Sequence, residues 1–211
     1  MKTEPSLHAA KSALRKSARQ RRASLAPDQR QRLDAEINRH LLDFAGRQQP
    51  GLVAAFMAFD GEPDLAPALR ELERRGVRLA VPIVQDDPTH AGSPGGAAIC
   101  YRRWSKDSDM QPNRYGILEP AGTLEIGLAE VDLALIPLVA WDDAGGRLGM
   151  GAGFYDRLFQ PFAGEARPLR MGVAYGVQQV DRVPREPWDV SLHMMLTEAG
   201  CLDCRERQGT R

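Results

Sequence analysis

Residues 131–139 read Val-Asp-Leu-Ala-Leu-Ile-Pro-Leu-Val. A glycine-rich stretch follows, Gly145-Gly146-Arg147-Leu148-Gly149-Met150-Gly151-Ala152-Gly153, and opens into Phe154-Tyr155-Asp156-Arg157. The first segment is a short, nearly continuous apolar run, which suits a strand covered on both faces. A helix over residues 155–162 is expected after the loop. Strand, glycine loop and helix in that order form the turn at which open α/β sheets bind ligands, beyond the carboxyl ends of their strands. Alternating glycines let backbone N–H groups approach an anion, and a helix start adds favourable partial charge. Position 154 is Phe, so the loop is neither G-x-G-x-x-G nor G-x-x-x-x-G-K-[ST]. A standard dinucleotide fold and a P-loop NTPase are both disfavoured. The simpler alternative is a tight turn whose glycines supply positive φ. Five glycines in nine residues, beside Arg147, Asp156 and Arg157, favour an anion site.

The same alternation extends outward from this segment. Residues 52–59 and 77–84 are further apolar runs expected as buried strands, and residues 98–104, 170–175 and 194–197 read as strands. Helices are expected over residues 7–25, from Pro27 to near Gly46, and over 63–75, stopped by Gly76. Residues 85–96 carry two prolines and three glycines and read as a loop. The fold class is α/β: one domain over residues 1–211, a largely parallel sheet flanked by helices, and a basic N-terminal helical segment. Residues 1–6 and 203–211 are expected to fray.

Lys and Arg number 28, as do Asp and Glu, so the formal net charge is zero. That balance argues against a strongly basic nucleic-acid binder and against an acidic disordered tail. Hydrophobic residues make up 43 %, enough for one sizeable core. No run approaches the roughly 18 apolar residues of a membrane span, and residues 1–22 lack the apolar stretch of a signal peptide. Three cysteines do not make a disulfide scaffold, so a soluble cytoplasmic protein with reduced thiols is expected. A monomer without nucleic-acid or membrane partners completes the expectation.

Neutrality hides an asymmetry, because residues 2–32 carry a net +7 and the remainder −7. Lys11, Arg15, Arg19 and Arg22 recur at helical spacing without acids close by in the sequence. A solvated face and a face for a phosphate-bearing ligand are both open readings.

Asp156 beside the loop and Asp189 are candidate Mg²⁺ ligands, since nucleotide-bound Mg²⁺ takes one or two carboxylates. Alone, either could simply pair near a helix start. Glu62 follows a buried strand, where α/β sites are built, although the dipole of the next helix also favours an acid there. Met57 and Phe56 just upstream have the composition of core. Cys201-x-x-Cys204 lacks further zinc ligands at suitable spacing and the context of a redox motif, and no function is assigned to it.

Several motifs in order resemble the 5-formyltetrahydrofolate cyclo-ligase (methenyltetrahydrofolate synthetase) family, over about residues 11–198. Lys11-x-x-Leu14-Arg15 is similar to its opening K-x-x-L-R. Phe56 to Glu62 is similar to its strand followed by a Glu, and Tyr115-Gly116-Ile117-Leu118-Glu119-Pro120 to its G-I-x-E-P segment. The most specific block holds Ile136-Pro137, Gly146-Arg147-Leu148-Gly149 and Gly153-Phe154-Tyr155-Asp156-Arg157. Gln178, Pro184, Asp189 and Thr197-Glu198 complete the pattern. Leu65 stands where a Thr is common, Met150 and Ala152 where bacterial relatives often carry Tyr and Gly, and Phe154 replaces a Tyr.

The resemblance implies conversion of 5-formyltetrahydrofolate and ATP to 5,10-methenyltetrahydrofolate, ADP and phosphate, with Mg²⁺. It assigns ATP to Lys11, Ser12, Ala13, Leu14 and Arg15, and to Arg147, Leu148, Gly149, Met150, Gly151, Ala152, Gly153, Phe154 and Tyr155. Folate falls to Met57, Glu62 and the stretch from Met150 to Phe154. Asp156 and Asp189 take the metal, and Lys11, Arg147 and Asp156 are the expected catalytic residues. Two other classes stay open. One is a non-catalytic relative binding folate or nucleotide, with an RNA partner through the basic helix. The other is a sugar-phosphate enzyme on a related scaffold.

Overall fold

The computed structural model describes residues 6–86 and 97–207. Four helices are α1 (Leu7–Ala23), α2 (Pro27–Gln48), α3 (Ala66–Arg74) and α4 (Phe154–Phe159). The strands are β1 (Leu52–Ala54), β2 (Arg78–Asp86), β3 (Ala97–Trp104), β4 (Met110–Pro112), β5 (Leu118–Pro120) and β6 (Glu125–Ile126). They continue with β7 (Leu133–Pro137), β8 (Ala140–Trp141), β9 (Arg147–Leu148), β10 (Leu169–Val173), β11 (Met194–Thr197) and β12 (Gly200–Asp203).

Eight strands form one sheet in the order β12-β11-β10-β7-β1-β2-β3-β6. The interior, from β11 to β2, is parallel throughout, and the β11–β12, β2–β3 and β3–β6 pairs at the edges are antiparallel. The register Val53↔Leu133 and Leu133↔Leu169 puts alternate residues of three strands on one face. Val53, Leu133, Leu135, Met171 and Val173 pack under α2 and α3 with Ile37, Leu41, Phe44, Leu69 and Leu72. Ala54, Ala134 and Ile136 face the other way, against Phe159 of α4, Leu192 and Tyr101. Both faces being covered is why residues 131–139 are apolar without alternation.

A third, smaller cluster positions the basic helix. Ala18 and Leu14 of α1 pack on Val139, Ala140, Leu148 and Val183, so α1 docks on the β8–β9 hairpin that leads into the glycine loop. No helix among the described residues is long and apolar enough to cross a membrane.

Several boundaries differ from expectation. α2 runs to Gln48 rather than Gly46, because Gln49 takes the left-handed cap conformation (φ 49°) ahead of Pro50. β1 ends at Ala54, after which only the Ala55 N–H still reaches the Ala80 carbonyl. The chain then leaves the sheet toward the site. α3 starts at Ala66, where Asp64 accepts the Ala66 N–H. α4 ends after six residues and tightens to a 3₁₀ turn over Gln160–Phe162, at Pro161. Gln85 and Asp86 belong to β2 rather than to a loop, and the rest of the expected loop, 87–96, lies outside the described residues.

The C-terminus also corrects the expectation. Residues 200–203 form β12 against β11 and Cys204 is fully buried, so residues 203–204 are packed rather than frayed, while Arg205–Arg207 make an exposed 3₁₀ turn. Residues 1–5 and 208–211 lie outside the described residues, while Ser6 caps α1 by accepting the Ala9 N–H. Burial pushes the Cys204 thiol up to about 12 and that of Cys201 upward too. Both are free.

Arg170, on β10, is 2 % exposed and stitches neighbouring segments together. It donates to the carbonyls of Ser191, Phe162, Glu165 and Ala163, and its Nη2 lies 2.6 Å from His193 Nε2. Burial, then the Arg170 charge, push the His193 imidazole down to about 4, so it is neutral near pH 7. Arg170→Met strands these carbonyls. It should lower unfolding free energy by about 3 kcal/mol or more, read as a lower urea midpoint at constant m. A loss below about 1 kcal/mol would mean that water replaces the guanidinium.

Candidate active site

The site lies where β1, β7 and β10 end, and α1 is its long side. Lys11 Nζ meets Asp189 Oδ2 at 2.6 Å. One turn on, Arg15 Nε donates to the Gly149 carbonyl at 2.8 Å. A further turn on, Arg19 meets Asp60 at 2.6 Å, and Arg22 donates to the Asp60 carbonyl (2.7 Å) and carboxylate (3.0 Å). At 1.5 Å per residue, Lys11 and Arg22 are about 16 Å apart along the helix. Within that span α1 touches the 189 segment, the glycine loop and the turn carrying Glu62. The cationic stripe is therefore not a free solvated face. Its acid partners lie 178, 41 and 38 residues away in the chain.

The glycine loop is built for close approach. A Cβ at Gly146 would collide with the Asp142 carboxylate and with Arg185. That buried carboxylate holds the turn by accepting the N–H groups of Ala144, Gly146 and Val183. Residues 147–148, expected as loop, instead pair with β8 and fix the loop's root. Gly149, Met150 and Gly151 are exposed, and Gly151 packs beneath the Arg15 guanidinium. Gly153, at φ +67°, starts α4. A helix of six residues has a weak dipole, so suitability for an anion rests on the loop N–H groups and the cations of α1.

Arg147 points behind the loop. Its side chain is 6 % exposed, donates to Asp156 Oδ1 at 2.7 Å and to the Val190 carbonyl, and so ties α4 to the 186–190 segment. Asp156 Oδ1 also accepts the Val190 N–H at 3.0 Å, which brings Asp156 to the residue next to Asp189. Asp189 Oδ2 accepts from Lys11 and from the Glu186 N–H. Asp156 Oδ2 and Asp189 Oδ1 have no hydrogen bond among the described residues. Two carboxylates with one free oxygen each suit a divalent cation that takes its remaining ligands from phosphates and water. No group of three or more His, Cys, Asp or Glu suited to a metal by themselves occurs among the described residues.

Toward the other end of α1, Asp60 (φ 51°) and Gly61 (φ 78°) turn the chain so that Glu62 accepts the Phe59 N–H at 3.1 Å. Burial pushes the Glu62 carboxyl up to about 7, opposed by that hydrogen bond and by the Arg22 charge. Burial likewise raises the Tyr155 phenol, with Tyr101 and Glu62 adding to it. Met57 is half-buried, while Phe59 and Met150 are exposed and give this end apolar surface. Arg157 secures the loop by donating to the Ala152 and Ala97 carbonyls, with its guanidinium over the Phe154 ring.

Sequence reasoning missed Asp60 and Phe59 as site residues. The Asp60-Gly61 pair between an apolar run and a helix was the available turn signal.

These features define an α/β protein in which one helix joins an anion-suited loop to a partly apolar subsite holding a half-buried carboxyl. Residues 7–198 match the 5-formyltetrahydrofolate cyclo-ligase family. The Escherichia coli 5-formyltetrahydrofolate cyclo-ligase is 33 % identical over 181 residues, covering 85 % of this chain and 95 % of the relative. The Haemophilus influenzae cyclo-ligase is 31 % identical over 185 residues, covering 87 % and 95 %. The solved structure of Aquifex aeolicus 5,10-methenyltetrahydrofolate synthetase superposes with a TM-score of 0.77 at 30 % identity, covering 92 % of this chain and 93 % of that one. The chain belongs to the 5-formyltetrahydrofolate cyclo-ligase family.

Proposed function

We propose that this protein converts 5-formyltetrahydrofolate to 5,10-methenyltetrahydrofolate at the expense of ATP, releasing ADP and phosphate. The observation that carries the reading is the run of contacts along α1: Lys11 to Asp189, Arg15 to Gly149, and Arg19 and Arg22 to Asp60 beside Glu62. It sets a phosphate-suited end and a folate-suited end within one helix length.

The formyl oxygen is a poor leaving group. Transfer of the γ-phosphoryl group to it creates a good one. N10 then attacks the formyl carbon and loses its proton, the carbon–oxygen bond breaks, and phosphate departs as the ring closes. Phosphoryl transfer asks a protein mainly for positioning and charge neutralisation. Lys11, Arg15 and the N–H groups of residues 149–153 neutralise the phosphates. Arg147 holds Asp156 and the 186–190 segment in place. Asp156 and Asp189 would hold Mg²⁺, which when bound supplies charge neutralisation at the phosphate oxygens. Met57, Phe59 and Met150 offer apolar contact to the folate, and Glu62 accepts hydrogen bonds from the pterin or near N10.

Protein mixed with MgATP and 5-formyltetrahydrofolate should develop the absorbance of the methenyl product, in step with ADP. Folate binding without product would select a non-catalytic relative. Neither binding nor product would leave the sugar-phosphate alternative. Lys11→Ala should raise the apparent KM for ATP about tenfold, the effect of losing one charged contact of about 1.4 kcal/mol. An unaltered ATP dependence would confine Lys11 to its ion pair with Asp189.

A further inference from the structure

A cavity of about 470 Å³ lies between the 187–191 segment and residues 160–166. Its volume falls within the roughly 300–1,000 Å³ of small-molecule sites. Its walls are fixed in advance. Arg170 spends its donors on the carbonyls of Phe162, Ala163 and Glu165 on one wall and of Ser191 on the other. The cavity shares Asp189 with the Lys11 pair at the phosphate end of α1. The neighbouring Trp188 is 63 % exposed, whereas Trp141 is buried.

The lining chemistry selects among ligands. Arg170 has no donor left for an anion, and Arg205 is held by Asp203. Glu165 adds a negative charge that no cation neutralises among the described residues, so a phosphate is not the fitting occupant. A flat, uncharged ring that stacks on an indole is. The side chains of Gln160 and Glu165 carry no hydrogen bond among the described residues. A carboxylate accepts from an exocyclic amine, and an amide both accepts from that amine and donates to the adjacent ring nitrogen, the pattern by which Gln reads adenine. A carbonyl in place of the amine would face the Glu165 carboxylate and be rejected.

We propose that this cavity receives the purine base of the nucleotide, stacked on Trp188 and read by Gln160 and Glu165, and that it selects adenine over guanine. The proposal rests on the ATP reading above and deepens it.

The test uses the full chain with three probes: MgATP, MgGTP and magnesium tripolyphosphate, which has the phosphates without the base. MgATP should quench tryptophan fluorescence in the wild type, and tripolyphosphate should not. Trp188→Ala should weaken MgATP binding, read by calorimetry, roughly 10- to 100-fold, as loss of one base-stacking contact does. It should leave tripolyphosphate affinity unchanged, and Trp188→Phe should retain most of the MgATP affinity. Glu165→Gln should narrow the preference for MgATP over MgGTP. Equal MgATP affinity in wild type and Trp188→Ala, without quenching, would overturn the base assignment and leave the ATP reading standing. A wild type that binds neither MgATP nor tripolyphosphate would overturn both.

Discussion

Asp156→Asn lowers kcat for MgATP-dependent formation of the methenyl product by about 10²- to 10³-fold, the range seen when one charge-stabilising group is lost from a site, while folate affinity stays within about twofold. The expectation follows from the two separate jobs of this carboxylate. Oδ1 is structural, accepting from Arg147 and from the Val190 N–H. Oδ2 has no partner among the described residues and, on the proposed reading, is the oxygen that would take the cation. Asn keeps an acceptor for the structural job and removes the charge needed for the other. The Arg147 side chain is only 6 % exposed, so Asp156→Ala would strand a buried cation and confuse catalysis with stability. The Asn variant keeps an acceptor for Arg147 and the Val190 N–H, so it should lose less stability than Asp156→Ala. It should also need more Mg²⁺ to reach half-maximal rate. Unchanged turnover at limiting Mg²⁺ would reject the metal role of Asp156.

What the sequence revealed, and what it withheld, divides along physical lines. Residues 131–139 announced a doubly covered strand because burial on both faces demands an unbroken apolar run, and the register with β1 and β10 has that form. The glycine loop was legible because close backbone approach restricts residue choice locally. The role of the basic stripe was not, because every acid it meets comes from another element. Nothing within α1 announces that Lys11 will meet Asp189, or that Arg19 and Arg22 will share Asp60. Arg147 illustrates the same limit. Its place in a glycine loop suggests a phosphate ligand, yet it lies buried against Asp156 and Val190. β12 was missed because four residues around a cysteine, near a polar tail, carry too little periodicity to distinguish an edge strand from a fraying end.

Glu62→Gln makes the protein more stable and much less active, and the two effects share one cause. Burial raises the folded carboxyl from 4.5 to about 7. Between those values the unfolded chain has released its proton while the folded protein holds it, so stability falls as pH rises from about 4.5 to about 7 and is level above. The shift is worth on the order of 3 kcal/mol at most. Above pH 7 the Gln variant should recover part of it, and its stability should lose this slope. Activity runs the other way. On the proposed reading the ionised carboxylate is the form that would accept hydrogen bonds from the pterin, so kcat/KM for the folate should fall as pH drops through about 7. Gln cannot supply that charge, and its kcat/KM at pH 8 should lie about 10²-fold or more below wild type, with no inflection near 7. The groups acting on Glu62 are Arg22 of α1, Asp60 of its own turn and Tyr155 of α4, with Arg30 of α2 against Gly61. Arg22→Leu removes the charge that favours ionisation, and it should move the wild-type inflection upward. An inflection near pH 7 that survives in Glu62→Gln would assign it to another group. A Gln variant less stable than wild type at pH 8 would show that the carboxylate is held by more favourable contacts than the Phe59 N–H and Arg22.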